Sequence, residues 1–164
     1  MTTKQSNLQR LTITSTKSFE TVVAAFEAAV AHPNWSEFQK EINATKTYAA
    51  MEAVIQRALG KSGFMEFARF DLGAILRKEA GGQTPKIVRY LIGNPLVMKE
   101  MVKRVPDAGS YAPVTVLIDE RPGGVHLSYD MMSGFLVSHG NNDALKVARG
   151  LDSKIETLLR QAAA

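Results

Sequence analysis

The chain has 164 residues, of which 45% are hydrophobic and 22% charged, with a formal net charge of +4 and no cysteine. Those values describe one globular domain, a length at which folding hides roughly 70% of the unfolded surface, and they exclude a disordered chain. The missing thiols exclude cysteine nucleophiles, disulfide exchange, zinc–thiolate sites and iron–sulfur clusters.

Met1 to Asn7 are polar and are expected to be disordered. Leu11 and Ile13 alternate with Thr12 and Thr14, which predicts a half-buried strand over about Gln9 to Thr16. Ser18 offers an N-cap oxygen, and Phe19, Val22, Val23, Phe26, Ala29 and Val30 then recur at helical spacing until Pro33. From Asn34 to Gly60 the pattern stays helical, with Trp35, Phe38 and Ile42 followed by Tyr48, Met51, Ile55 and Leu59 after a Thr47 cap. Two short helices are predicted there, stopped by Gly60.

The next strand is FMEFARFD, in which alternation puts Met65 and Phe67 on one face with Arg69 and Asp71, and Phe64 with Phe70 on the other. Asp71 caps a helix holding Leu72, Ile75 and Leu76, which runs into the Gly81-Gly82 breaker. A third strand follows over about Lys86 to Ile92. Gly93-Asn94-Pro95 then reads as a strand end, an N-cap and an N1 proline, with Val97, Met98, Met101, Val102 and Val105 as the apolar face of a helix closed by Pro106. Val114 to Ile118 and Val125 to Tyr129, separated by Arg121-Pro122-Gly123-Gly124, form a hairpin. The last helix starts near Asn142, with Ala148, Leu151, Ile155, Leu158, Leu159 and Ala162 on one side and Lys146, Arg149, Asp152, Lys154, Glu156 and Arg160 on the other.

Hairpin-connected strands joined by helical crossovers predict an α+β domain spanning 1–164, a mainly antiparallel sheet of about five strands with helices packed on one face. No apolar run approaches the roughly 20 residues of a membrane span, and the polar N-terminus lacks the zones of a secretory signal. The expected location is cytoplasmic. Cations are interleaved with carboxylates and never form a dense basic run, so nucleic acid is not an expected partner.

Several of these pieces together resemble the domain of unknown function 302 family. They are Ser18-Phe19-Glu20, Gly63-Phe64-Met65, Phe70-Asp71, Gly93-Asn94-Pro95, Tyr111-Ala112-Pro113, Ser128-Tyr129-Asp130 and Leu151-Asp152, spread over roughly residues 8–160. The resemblance implies the TT1751-like fold, a β-α-β4-α core related to the TATA-binding-protein-like fold, and a homodimer. Gly93 stands where many members carry a cysteine, so no thiol role transfers. Segment 34–60 looks like an insertion of short helices relative to shorter members, and it is open as a lid, a dimer element or extra packing. The family has no settled activity, and the resemblance therefore speaks to fold more than to function.

Asn94 sits where a strand meets a helix N-terminus, a place for an anion, although an Asn there most often caps its own helix. His126, Ser128 and Asp130 share one strand face, but residues two apart on a strand lie about 6.5 to 7 Å apart with parallel side chains, which makes a poor proton relay. A solvated sheet face is the favoured reading. His139 reads as a turn residue, and His32 as a helix-end residue. No histidine pair has ligand spacing, and no metal or cofactor is expected. Arg69 and Arg89 are cations inside apolar strands, either snorkelling outward or anchoring a carboxylate in a cavity with Tyr90, Tyr111 or Tyr129. Met98, Met101, Met131 and Met132 read as core or a dimer seam more than as a ligand lining. The glycine pairs lack any phosphate-loop context and are turns.

The expectation is a homodimeric small-ligand-binding domain with a cleft between sheet and helices, the candidate ligand residues being Asn94, Arg89, Asp71, Tyr111, Arg69 and His126, and the ligand small and apolar or anionic. An enzyme using Asp/His acid–base chemistry on a small anionic substrate, and a protein–protein interaction module, remain as alternatives.

Overall fold

The computed structural model describes residues 8–80 and 84–164. The expected disorder of residues 1–7 and the Gly81-Gly82 breaker lie outside the described residues. The first strand, β1 (Arg10–Ser15), leads into α1 (Phe19–Ala29), whose N-terminus is held by the Ser18 side chain accepting from the Thr21 amide at 3.2 Å. Helices α2 (Trp35–Ala44) and α3 (Tyr48–Arg57) follow, capped by Asn34 and Thr47. Next come β2 (Met65–Asp71), α4 (Gly73–Ala80), β3 (Ile87–Gly93) and α5 (Pro95–Val102). A 3-10 turn over Pro106–Tyr111 leads to the hairpin β4 (Val114–Arg121) and β5 (Gly124–Asp130). The chain closes with the short α6 (Met132–Leu136), a 3-10 turn over Val137–His139, and α7 (Asn142–Ala163).

All strand pairs are antiparallel, in the order β1-β5-β4-β3-β2. With α1 and α7 this is the β-α-β4-α core that the family resemblance implies. One sheet face carries Val125, Leu127 and Tyr129 of β5, Val116 and Ile118 of β4, and Val88, Tyr90 and Ile92 of β3, all buried against Phe26, Ala148, Ile155 and Leu159 from α1 and α7. Each large apolar side chain so buried contributes about 1.5–3 kcal/mol, which is why the amphipathic α7 anchors to the sheet along its whole length. The opposite face is polar at its β1–β5 end and mixed across β3 and β4.

Two expectations about faces are corrected. The register of β2 against β3 slips between Glu66 and Ala68, so Phe67 is an extra residue on the β2 side. Past this bulge the alternation is reversed: Arg69 pairs with Tyr90 and Asp71 with Val88, on the helix-covered side, while Phe70 pairs with Arg89 on the other. Arg69 and Asp71 therefore do not share a face with Met65 and Phe67. Asp152, assigned to the exposed side of the last helix, is 4% exposed. Its polar atoms are matched in the interior: Oδ1 accepts from the Tyr129 hydroxyl at 2.7 Å and from the Met132 amide at 2.8 Å, while Oδ2 accepts from the Ser133 amide at 3.2 Å.

Leu72, Ile75 and Leu76 are exposed, Ile75 to 69%. Helix α2 also has no buried residue; it leans on the sheet through Trp35, whose ring centroid lies 4.8 Å from that of Phe67.

Candidate functional site

Ser128 and its strand neighbours illustrate how the sheet spends its polar side chains. On β5, His126, Ser128 and Asp130 face away from the core, and each meets its register partner on β1. Arg10 grips Asp130 with two bonds, Nε to Oδ1 at 2.6 Å and Nη2 to Oδ2 at 2.8 Å. Thr12 and Ser128 hydroxyls lie 3.2 Å apart, and Thr14 Oγ1 lies 3.3 Å from His126 Nδ1. The row is thus a cross-strand ladder rather than a relay, as the 2-residue spacing along a strand implies.

Asn94 serves its own helix. Its Oδ1 accepts from the Leu96 amide at 2.9 Å, and its Nδ2 donates to the Gly63 carbonyl at 3.0 Å, tying the start of α5 to the entry of β2. Beside it lies an apolar cavity of about 90 Å³ lined by Phe67, Gly93, Met98, Met101, Pro113 and Leu151 among others. Met101 is buried in the core, whereas Met98 is half-buried at the cavity wall. Met132 is fully buried, and Met131 packs against the same core.

Arg69 and Asp71 line a different depression, of about 590 Å³, with Arg77, Thr84, Lys86 and Glu120. Its charges are already matched. Arg69 Nε lies 3.1 Å from Glu27 Oε1 and 3.3 Å from the Tyr90 hydroxyl, Arg77 bonds Asp71 Oδ2 at 2.7 Å, and Lys86 pairs with Glu20. Asp71 also accepts from the Ala74 amide at 2.9 Å as the cap of α4. The bond from Arg77 holds its carboxyl below the usual carboxylate range, with the Ala74 amide adding to the effect. Tyr90, buried and donating to Glu27 at 2.7 Å, keeps its proton far above the usual phenol range, chiefly because burial penalises the phenolate.

Arg89 and Tyr111 meet in a third place. The face of the sheet away from α1 and α7, the end of the Pro106–Tyr111 turn and α6 together enclose a cleft of about 330 Å³. Leu91, Tyr111 and Phe135 supply its apolar wall; Arg89, Ser110, Thr115 and Asp130 supply its polar groups. Tyr111 and Phe135 are stacked, with centroids 4.3 Å apart and planes 16° from parallel. The cleft and the apolar cavity are bounded by the same Ala112-Pro113-Val114 segment, in which the Ala112–Pro113 peptide is cis. The six candidate residues are therefore divided: Asn94 at the cavity, Arg89 and Tyr111 at the cleft, Arg69 and Asp71 on the other face, and His126 in the ladder with β1.

The family model described as Domain of unknown function DUF302 matches residues 38–162. This chain belongs to the DUF302 family. Among solved structures, the crystal structure of an uncharacterized conserved DUF302 protein from Bacillus stearothermophilus superposes with a TM-score of 0.66 at 10% sequence identity, covering 93% of this chain and 97% of that one. No curated protein matches the sequence. At such low identity the superposition speaks to the fold, which is shared over nearly the whole of both chains.

In this DUF302 domain the residues that sequence reasoning missed are Phe135, Ser110 and Thr115 as cleft neighbours of Arg89. Asp130 and Tyr111 belong to motifs that carry the family resemblance, but no periodicity places α6 over the sheet. Among the described residues there is no group of three His, Cys, Asp or Glu side chains able to hold a metal, and no helix long and apolar enough to cross a membrane. What the cleft offers chemically is one guanidinium, the hydroxyls of Ser110, Tyr111 and Thr115, a carboxylate already paired with Arg10, and an aromatic wall.

Proposed function

We propose that this DUF302 chain is a cytoplasmic, homodimeric protein that binds a small molecule in the Arg89–Tyr111 cleft. The observation that carries the reading is the make-up of that cleft: about 330 Å³, an apolar wall of Leu91 and the Tyr111–Phe135 stack, and a few polar groups converging from three strands. Ligand sites have this composition and begin at about this size, because apolar contact supplies affinity while a few fixed polar groups supply orientation. Asn94 takes part from behind, as the cap that fixes the wall of the adjoining apolar cavity.

Support for the dimer comes from the surface. Phe70, Leu72, Ile75 and Leu76 are all exposed within one short stretch at the end of β2 and the start of α4. Apolar residues clustered in this way mark association surfaces more often than singly scattered ones do.

Native mass spectrometry of the purified protein tests both parts. The expected spectrum shows a dimer carrying a small-molecule adduct that is lost when Leu91→Trp fills the cleft. A bare monomer, with no probe compound shifting the amide resonances of Leu91, Tyr111 and Thr115, would end the proposal.

A further inference from the structure

Resting on that reading of the cleft, we infer that its ligand class is a small monocarboxylate with an aromatic or compact apolar body, its carboxylate paired with Arg89. Most arginines among the described residues have a carboxylate within ion-pair distance, including Arg10 with Asp130, Arg69 with Glu27, Arg77 with Asp71 and Arg121 with Asp119. Arg89 has none, although it lines the cleft. Its only polar side-chain contact among the described residues is a long one, Nη2 to Thr115 Oγ1 at 3.4 Å, and its guanidinium carbon stands 6.0 Å from the Phe70 ring centroid. A guanidinium presents five N–H donors in a planar fork, so the donors suited to a carboxylate are left to solvent here.

The one carboxylate in the cleft does not compete for it. Asp130 has both oxygens engaged by Arg10 at 2.6 and 2.8 Å, which neutralises it from the β1 side. Arg89 is then the single uncompensated charge of the cleft. One such cation suits a monoanion: a phosphate dianion would bring a second negative charge close to Asp130, and neither a lysine nor a second free arginine lines the cleft to meet it.

The size and wall define the body of the ligand. An apolar cavity of about 150 Å³ admits benzene, and about 330 Å³ takes a ring with a short acidic side chain. The Tyr111–Phe135 stack and Leu91 offer flat apolar surface for that ring, while the Ser110 and Thr115 hydroxyls are placed in the same cleft to meet the second carboxylate oxygen.

The test is an NMR titration of the full chain with phenylacetate, benzyl alcohol and inorganic phosphate. Phenylacetate is expected to shift Leu91, Tyr111 and Thr115 and to bind at least about tenfold more tightly than benzyl alcohol. Arg89→Gln should erase that preference by weakening phenylacetate far more than the uncharged benzyl alcohol, and Arg89→Lys should recover only part of it, because the fork is lost. Equal binding of the acid and the alcohol, indifferent to Arg89→Gln, would overturn the carboxylate assignment while leaving the cleft as a binding site. Phosphate binding more tightly than phenylacetate would overturn it too. If neither organic probe shifts cleft residues in the wild-type chain, the inference and the binding function fall together. Arg89 is exposed, so its variants are expected to fold, which circular dichroism verifies.

Discussion

The hydroxyl of Tyr129 donates to the Asp152 carboxylate across 2.7 Å, joining β5 to α7 over 23 residues of chain. The same oxygen of Asp152 accepts from the Met132 amide, so a side chain from α7 serves as the N-terminal cap of α6, whose own N-cap residue, Met131, contributes no side-chain bond. Burial and the neighbouring carboxylate push the Tyr129 hydroxyl far above the usual phenol range, so it stays a donor at any working pH. Because α6 carries Phe135 to the cleft, this buried pair sets the geometry of the candidate site without touching a ligand.

Tyr129→Phe is accordingly expected to lower stability by about 1–3 kcal/mol, the cost of leaving buried polar atoms short of a partner. Asp152→Ala strips the cap of α6 and the acceptor of Tyr129 together and should cost about 3 kcal/mol or more. Urea denaturation measures both. Equal small losses, under about 0.5 kcal/mol, would mean that the network is not maintained in solution.

Two glycines should respond in opposite directions to the same substitution. A Cβ at Gly60 would stand 2.5 Å from the Ala29 carbonyl oxygen and 2.5 Å from the Ala31 nitrogen, both backbone atoms that cannot swing aside. Gly60→Ala is expected to destabilise by about 1–3 kcal/mol through overpacking. Gly150 lies in the exposed middle of α7 with nothing within 4 Å of a built Cβ, and Gly150→Ala should stabilise by about 0.5–1 kcal/mol by relieving the helix of its most flexible residue. Thermal melts of the two variants, run side by side, check the opposed signs.

Glu100 on α5 is surrounded by Lys103, Lys99 and Arg104, which hold its carboxyl down from the ordinary 4.5 to about 2. A carboxylate whose folded pKa is depressed contributes stability that is present above pH 4.5 and is lost as the pH falls from 4.5 toward about 2. The side chain is solvent-exposed, so the effect should shrink in high salt. A carboxyl-carbon NMR titration is expected to place the Glu100 midpoint near 2 at low salt; a midpoint at the ordinary glutamate value would contradict the triple pairing.

Ile75, the most exposed large hydrophobic residue among those described, sits in the Phe70–Leu76 patch proposed as the association surface. Ile75→Asp should weaken the dimer by about tenfold or more without lowering monomer stability, since an exposed site carries little folding energy. Light scattering over a dilution series reads the shift. An unchanged dimer would move the interface elsewhere on the molecule.

The amino-acid sequence by itself determined the order of the main elements, the caps at Ser18, Thr47 and Asn94, the inward face of β5, and the exclusion of thiol chemistry. These are local properties: alternation, 3.6-residue spacing and a capping oxygen are written within a few residues of where they act. The tertiary structure alone decided three further things. It put the bulge at Phe67, because an extra residue is defined only against the partner strand, and with it sent Arg69 and Arg89 to opposite faces of the sheet. It buried Asp152, because the donors that make a buried carboxylate tolerable arrive from β5 and α6. It also divided the six candidate residues among separate depressions, since what shares a cavity depends on how distant segments pack, and no pattern along one segment encodes that.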